Sequence, residues 1–335
     1  MKQFTRTFFP VFGAAALIAI LSTPVRAGDE PEFHWVDDAE LGMLDLLYGD
    51  EPVLRYMYAF DTSTEERREE TTKVYHHVFG PGTGTRITKG AGGQYPHHRG
   101  LFVGWKATKF DGKSIDTWHC KSGGGVHQRH VKLLEAAGKA DSGTMTAEIV
   151  WNDADGTPVI REIRTVRAST VPGQTASSHA WQIDWSTKLF SQRSEIELDG
   201  DRQHAGFQFR APQEVAEQES ARYVRPDGFP QQQQAFEVGD AGDPPAHINL
   251  GWLAMTFPVE GQQYTVEYFE DPSLPKPSLY SERPYGRFGA FFRATLSPGE
   301  PLSMRYRLRV SSGEPPSRES IQKRYDAFVA ELVNE

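Results

Sequence analysis

The histidines of this chain are concentrated in one part of the sequence, and histidine is the side chain best suited to move protons near neutral pH. Seven of the eleven lie between residues 76 and 130. Unperturbed imidazole titrates close to pH 6.5, so it can accept and donate a proton within one reaction. Three of these residues stand beside other reactive side chains and are the predicted catalytic histidines: His97, His98 and His119.

Cationic and aromatic side chains in the same stretch suit the binding of a polar ligand. Lysine and arginine hold a carboxylate or stabilise an enolate, and a tryptophan face stacks on a sugar ring. The predicted substrate-binding residues of this stretch are His77, Lys89, Arg99 and Trp118. A single histidine is more often structural than catalytic, so it is the density of the cluster that indicates a site.

Three segments further along the chain carry residues that a fold can bring to the same place. Glu162 and Arg164 lie two residues apart on a predicted strand and share a face, where Glu162 forms a surface ion pair or serves as a general base. His204 and Arg210 share the polar face of another predicted strand, and Arg287 stands in a glycine-flanked segment. We predict Glu162 as a fourth catalytic residue, and His204, Arg210 and Arg287 as substrate-binding residues.

A metal site is an alternative use of the same histidines. Two or three imidazoles and a carboxylate bind zinc, iron or copper, and Asp116 or Glu162 would supply the carboxylate. The candidate ligands are His77, His98 and His119, but the sequence lacks a diagnostic spacing such as His-Glu-x-x-His. The sequence therefore requires no cofactor and leaves a divalent metal open.

Strand patterns dominate the chain after residue 45. In residues 304–310, for example, apolar residues alternate with arginines, which is typical of a half-buried strand. Many short runs of this kind, separated by turn sequences, predict the all-β class and a large two-sheet antiparallel β-sandwich. Apolar residues at helical spacing predict one helix at about residues 317–333. We predict a single domain over residues 28–335.

The first 27 residues have the pattern of a secretory signal peptide. Lys2 and Arg6 precede an apolar stretch from Phe8 to Leu21, and small residues at Val25 and Ala27 flank the last base. We therefore expect an exported protein, periplasmic or extracellular. The apolar stretch is short for a membrane span, so we expect no membrane insertion of the mature chain.

The charge of the remaining chain excludes one class of partner. Residues 1–27 contain three of the 36 lysines and arginines and none of the 45 acids. Residues 28–335 therefore carry 33 bases and 45 acids, a net charge of −12. A nucleic-acid partner requires a basic surface. We therefore expect no nucleic-acid partner.

The motifs around the histidines resemble those of a secreted bacterial family labelled "methane oxygenase PmoA-like". The matching segments cover most of the chain, and the most specific of them is Pro-His-His-Arg-Gly at residues 96–100. The resemblance implies a β-sandwich similar to the galactose-mutarotase-like supersandwich, and a role in carbohydrate metabolism, because members occur beside sugar oxidoreductases. Methane chemistry is not expected, since a particulate methane oxygenase subunit is an integral membrane protein. The segments that carry the resemblance are Thr88-Lys89-Gly90, residues 95–102, Asp116-Thr117-Trp118-His119-Cys120, Glu162-Ile163-Arg164, His204-Ala205-Gly206, Tyr285-Gly286-Arg287 and residues 296–300.

These features together predict an exported carbohydrate-active enzyme that uses histidine and glutamate acid–base chemistry. Its substrate is expected to be a sugar or keto-sugar glycoside, and its reaction class is left open among lyase, hydratase, hydrolase and epimerase. The alternative is a non-catalytic carbohydrate-binding or metal-binding envelope protein whose histidines are structural or hold a metal. In the enzyme hypothesis the partner is a small carbohydrate or glycoside.

Overall fold

The computed structural model describes residues 30–173, 178–229 and 247–334. The predicted signal peptide, residues 1–27, lies outside the described residues. Residues Pro31–Glu335 form one compact unit. None of the helices in the described ranges is both long and apolar enough to cross a membrane.

Antiparallel strands make up most of the chain, which confirms the all-β class. The described residues form three sheets, and the first of them has eight strands. In spatial order its strands are β1 (Phe33–Asp38), β2 (Met43–Tyr48), β3 (Glu51–Met57), β4 (Tyr75–Val78), β5 (Leu101–Trp105), β13 (Ala205–Arg210), β18 (Arg287–Phe291) and β17 (Leu279–Arg283).

The described residues also form a second sheet of eight strands, a small sheet of four and three α-helices. The second sheet contains, in spatial order, β14 (Arg222–Val224), β15 (Trp252–Val259), β16 (Gln262–Glu270), β20 (Leu302–Ser312), β11 (His179–Ser191), β10 (Pro158–Pro172), β9 (Ser142–Asn152) and β8 (His127–Gly138). The third contains β19 (Ala294–Leu296), β12 (Ile196–Asp199), β6 (Ala107–Phe110) and β7 (Lys113–Ile115). The helices are α1 (Glu65–Thr71), α2 (Gln213–Gln218) and α3 (Arg318–Val333).

The two large sheets pack against each other through apolar side chains that alternate along their strands. Phe207 of β13 stacks on Tyr306 of β20, with 4.6 Å between ring centroids, and meets Trp185 of β11 edge-on at 5.2 Å. In β20 the apolar stripe predicted from the sequence is buried, whereas its arginines are partly exposed. The two-sheet sandwich is therefore confirmed.

The C-terminal helix α3 covers an apolar patch of the second sheet. Its residues Ile321 and Phe328 are buried against Trp252 of β15 and Phe269 of β16. Ser317 caps the helix, because its hydroxyl accepts a hydrogen bond from a backbone N–H of the first turn. The predicted helix at about 317–333 is confirmed, starting one residue after its cap.

The outer face of the first sheet is polar and yet buried. Along β13, Phe207 and Phe209 point into the sandwich, so Gln208 and Arg210 point to the other side. All six residues of the strand are nevertheless buried. We call this polar side of the central strands the covered face.

Loops lie on the covered face, and glycine makes their close approach feasible. A side-chain carbon at Gly104 of β5 would lie only 2.5 Å from the carbonyl oxygen of Thr117. The absence of that carbon lets the turn at residues 116–120 lie directly on the strand. Gly100 has a similar role, because a side-chain carbon there would lie 2.0 Å from the carbonyl oxygen of His76. The glycine of the Pro-His-His-Arg-Gly motif is thus required by packing.

Candidate metal centre

Two turns of the same construction each present one histidine on the covered face. Asp116 accepts hydrogen bonds from the backbone N–H of His119 at 2.8 Å and from its Nδ1 at 2.6 Å. Asp201 does the same for His204, at 3.0 Å and 2.8 Å. A carboxylate that accepts a hydrogen bond from Nδ1–H sets the tautomer of the imidazole and leaves Nε2 as the nitrogen without a proton. Each aspartate therefore orients its imidazole for ligand binding.

His97 completes a group of three imidazoles, which we call the histidine centre. Its ring centroid lies 4.5 Å from that of His119 and 6.3 Å from that of His204, and the latter two rings are 4.9 Å apart. One nitrogen from each ring lies within 4.8 Å of the other two. In a tetrahedral site, metal–nitrogen bonds of about 2.1 Å place ligand nitrogens about 3.4 Å apart, so the three rings must approach one another by up to about 1.4 Å to bind one ion.

Lys73 holds the two loops that carry His97 and His119. Its ammonium group donates to the carbonyl oxygen of His97 at 3.0 Å and to that of Trp118. It also lies 3.9 Å from the centre of the Phe102 ring. Burial lowers the pKa of Lys73 to about 7. Lys73 is therefore a positioning residue, which sequence patterns did not predict.

The surroundings of His97 suit metal binding, which requires neutral imidazole. Burial, and after it the neighbouring imidazoles and cations, lower the pKa of His97 to about 3. Burial alone would raise the pKa of Asp116 and of Asp201, but the hydrogen bonds from their histidines hold both pKa values below the ordinary range. Both carboxylates are thus ionised at neutral pH.

More deeply buried polar residues adjoin the histidine centre. The ring of His98 lies 4.3 Å from that of His97 and stacks on Tyr285 at 6.0 Å. The guanidinium of Arg287 lies 5.6 Å from the centre of the Trp118 ring and donates to the carbonyl oxygen of the residue before His204. The structure therefore brings together six of the predicted site residues: His97, His98, Trp118, His119, His204 and Arg287.

His77 and Lys89 line a different place, a cavity of about 540 Å³. Alternation along β4 places His76 inside the sandwich, where it stacks on Tyr56 at 4.8 Å, and His77 on the opposite side. His77 Nδ1 contacts the hydroxyl of Thr88 at 3.0 Å. Of the three metal ligands predicted from sequence, only His119 belongs to the histidine centre, since His77 lines this cavity and His98 lies outside the group of three.

Because His77 is buried, we expect the free energy of unfolding of the protein to depend on pH. Burial lowers the pKa of His77 to about 3, below the value near 6.5 of an unfolded chain. Between these values only the unfolded chain binds the proton, so His77 lowers the free energy of unfolding by about 1.4 kcal/mol per pH unit as the pH falls. We expect His77→Gln to lose stability less steeply than wild type between pH 6.5 and 4, as measured by urea unfolding. The control His34→Gln, at an exposed position of β1, should keep the wild-type slope; a wild-type slope in His77→Gln would contradict the prediction.

Arg99 and Arg210 are fully buried and contact backbone carbonyl groups. Arg99 donates to the carbonyl oxygens of Pro96 at 3.0 Å and of Glu70, in α1, at 2.7 Å. It therefore supports the loop that carries His97. Arg210 donates to the carbonyl oxygen of Tyr285, and its guanidinium lies 4.8 Å from the centre of that ring.

Glu162, the predicted general base, lies in the core of the sandwich. Its carboxylate accepts hydrogen bonds from Arg164 at 2.7 and 3.0 Å, from Trp151 Nε1 at 2.8 Å and from Thr187 at 2.8 Å. Arg164 in turn lies over the ring of Trp185, a core residue. These contacts give Glu162 a structural role in the second sheet. It is not part of a surface ion pair, and it does not lie at the histidine centre as the predicted general base would.

One sequence signal does indicate the histidine centre. The spacing Asp-x-x-His occurs at residues 116–119 and again at residues 201–204. An aspartate three residues before a histidine can bond both the backbone N–H and Nδ1, as both turns show. The repeat thus relates His204 to His119 and identifies Asp201, which was not among the predicted site residues.

Comparison with known proteins identifies a family and little else. No curated protein matches this chain. Among solved structures, a protein described as a kojibiose phosphorylase from the human microbiome overlaps 91% of this chain, with 9% sequence identity and a TM-score of 0.27. This chain spans only 33% of that protein, and so slight a likeness supports no conclusion about function. The model of the "Family of unknown function (DUF6807)" matches residues 43–326, which include both Asp-x-x-His turns and His97. The chain therefore belongs to the family DUF6807.

Proposed function

We propose that the protein is an exported carbohydrate-active enzyme that works with a divalent transition metal at the histidine centre. The observation that carries the proposal is that aspartates orient His119 and His204, while a nitrogen of His97 lies within 4.8 Å of a nitrogen of each. Histidines oriented by carboxylates are the usual construction of metal sites. Three protein ligands also leave a coordination position for a substrate oxygen, as catalytic sites require.

The residues around the centre support acid–base chemistry at such a metal. Imidazole ligands suit zinc, iron, copper and nickel. A bound ion of this kind polarises a substrate oxygen or activates a water molecule. With His97 and His119 assigned as ligands, His98 is the predicted catalytic histidine left to transfer a proton. Arg287 is placed to stabilise negative charge that develops on the substrate.

A carbohydrate substrate is the class that the sequence resemblance implies, and an exposed aromatic ring beside the histidine centre suits it. Tyr95 is 40% exposed, and its ring lies 6.3 Å from that of His97 and 4.9 Å from that of Tyr285. Its face can stack on a sugar ring. Trp118 is fully buried, so Tyr95 takes over the stacking role predicted for it. Lyase, hydratase, hydrolase and epimerase reactions on a keto-sugar glycoside all need a polarised oxygen and a mobile proton.

Turnover by metal-loaded protein tests this proposal. Protein stripped with a chelator is reloaded with zinc, iron(II), copper(II) or nickel and incubated with glycosides and 3-keto-glycosides. We expect turnover only after reloading, and a loss of about 100-fold or more in His98→Ala, because general acid–base catalysis contributes at least that much. His34→Ala, at an exposed position of β1, is the matched control and should keep full activity.

The other outcomes discriminate between the alternatives. Bound metal without turnover on a broad panel would favour the non-catalytic metal-binding or carbohydrate-binding protein. Turnover that survives complete metal removal would overturn the role of the metal. Equal turnover by His98→Ala and wild type would overturn the role of His98.

A further inference from the structure

Two fully buried arginines face each other on the covered face. Arg210 of β13 and Arg287 of β18 are directly opposite in the antiparallel register, and both are 0% exposed. Like charges directly opposite each other destabilise a sheet, and buried charges are normally paired with opposite ones. We call these two residues the arginine pair.

Within the described residues, the arginine pair donates its hydrogen bonds to neutral groups, and the residue opposite Arg287 on β17 is a further arginine, Arg283. Arg210 donates to the carbonyl oxygen of Tyr285, and Arg287 donates to the hydroxyl of Ser281 at 2.8 Å and to the carbonyl oxygen of Gln203. Over residues 30–173, 178–229 and 247–334, no carboxylate oxygen lies within 4.0 Å of either guanidinium. Two positive charges are therefore held in the interior without a counter-ion from the described chain.

Several buried donors near the arginine pair also lack a partner in the part of the chain that the structure describes. These are Nε and Nη2 of Arg210, Nε of Arg287 and Nε1 of Trp118. Gln208, on the same face of β13 as Arg210, leaves both ends of its amide unpaired within the described residues. Guanidinium and indole nitrogens can only donate. The complementary partner is therefore a hydrogen-bond acceptor, and an anion would also balance the two charges.

The arginine pair adjoins the histidine centre. The ring of His98 lies 4.3 Å from that of His97 and 6.4 Å from that of Trp118, over which Arg287 lies. An anionic group at the pair and a metal-bound oxygen at the centre can therefore belong to one small substrate. The aspartates of the centre form no ion pair with the arginine pair, although the charge of Asp201 attracts Arg287 without contacting it.

We propose that the arginine pair binds the carboxylate of the substrate, which makes the substrate a sugar acid. This inference rests on the proposed function, since it names the substrate class for that site. The unpaired donors of Arg210, Arg287 and Trp118 are groups from which a carboxylate can accept hydrogen bonds. Guanidinium–carboxylate bonds are also among the strongest in proteins. A sugar phosphate shares this anionic chemistry, so the test includes one.

Calorimetric titration of the metal-loaded wild-type protein tests the substrate class. The probes are glucose, gluconate, glucuronate, glucose 6-phosphate and sulfate. We expect at least one sugar acid to bind about 30-fold or more tightly than glucose, and to raise the thermal midpoint by several degrees. Equal binding of glucose and the acids would overturn the inference. If only glucose 6-phosphate binds tightly, the arginine pair is a phosphate site and the inference is overturned. If sulfate binds as tightly as the sugar acids, the pair binds an adventitious ion only, which also overturns the inference.

Substitution of the pair supplies a readout that a structural role would not produce. Arg287→Met should lose the preference for the acid over glucose, while its thermal midpoint without ligand stays at or above that of wild type, because an unpaired buried charge is removed. If Arg287 is only structural, Arg287→Met will have a lower thermal midpoint than wild type and an unchanged preference for the acid, and this result would contradict the inference. Arg293→Met is the matched control, since Arg293 is exposed and paired with Asp199. If Arg287→Met fails to fold, Arg210→Met and the ligand-induced shift of wild type decide the question.

Metal analysis of the same samples separates this inference from the proposed function. Bound metal and turnover of neutral glycosides, without any preference for acids, would overturn the carboxylate assignment and leave the proposed function standing. A preference for acids in protein that binds no metal would support the arginine pair and overturn the metal-dependent function.

Discussion

His204→Ala is expected to weaken the binding of a divalent metal by about 100-fold or more. Structural zinc sites bind with about 10–16 kcal/mol over four ligands, or roughly 3 kcal/mol per ligand, which corresponds to a factor of about 100. His204 supplies one of three nitrogens that lie within 4.8 Å of one another. Competition against a chromophoric chelator measures the affinity directly.

Two further variants make this result specific. Asp201→Asn keeps the size of the side chain but removes the charge that orients His204, and should cost about 10–100-fold in affinity. His179→Ala is the matched control, because His179 lies on the second sheet and contacts Glu51 at 3.3 Å. Wild-type affinity in His204→Ala, or an equal loss in His179→Ala, would show that the histidine centre does not bind the metal.

Glu162→Gln is expected to lower the free energy of unfolding by about 3–5 kcal/mol, which is the usual effect of breaking a buried ion pair. The carboxylate of Glu162 and the guanidinium of Arg164 are both fully buried and share two hydrogen bonds. Glutamine cannot balance the charge of Arg164, and it leaves one of the donors of Trp151 and Thr187 poorly matched. Urea unfolding followed by tryptophan fluorescence measures the loss.

The matched control is a glutamate in an exposed ion pair. Glu197 bonds Lys109 at 2.7 Å, and both side chains are largely exposed. Glu197→Gln should therefore cost less than about 1 kcal/mol. A Glu162→Gln protein that is as stable as Glu197→Gln but has lost turnover would restore Glu162 as a catalytic residue, and would contradict its structural role.

Alternation of apolar and polar residues was sufficient to predict the fold class. The stripe in residues 304–310 became β20, because each apolar side chain must be removed from water while the arginines between them stay hydrated. The C-terminal helix was equally predictable, since its stripe and its serine cap are local features. Patterns of this kind involve only a few neighbouring residues, so they can be interpreted without knowledge of the tertiary fold.

The same alternation does not determine which face of a strand packs in the core. His76 and His77 must point to opposite sides of β4, and the pairing of β4 with β3 and β5 decides that His76 is inside. Glu162 and Arg164 share a face in either case, and only the stacking of the two sheets makes that face an interior one. Sheet stacking depends on contacts between segments far apart in the chain.

The sequence by itself determined the all-β sandwich, the terminal helix and the local chemistry of the site. It contains the two Asp-x-x-His turns and the Pro-His-His-Arg-Gly loop, because bonds between residues three apart need no other segment. Only the tertiary structure decided that His204 joins His97 and His119, through the pairing of β13 with β5, and that Arg210 faces Arg287. Strand pairing sums weak contacts over many residues, so no short segment encodes which distant strand becomes a neighbour.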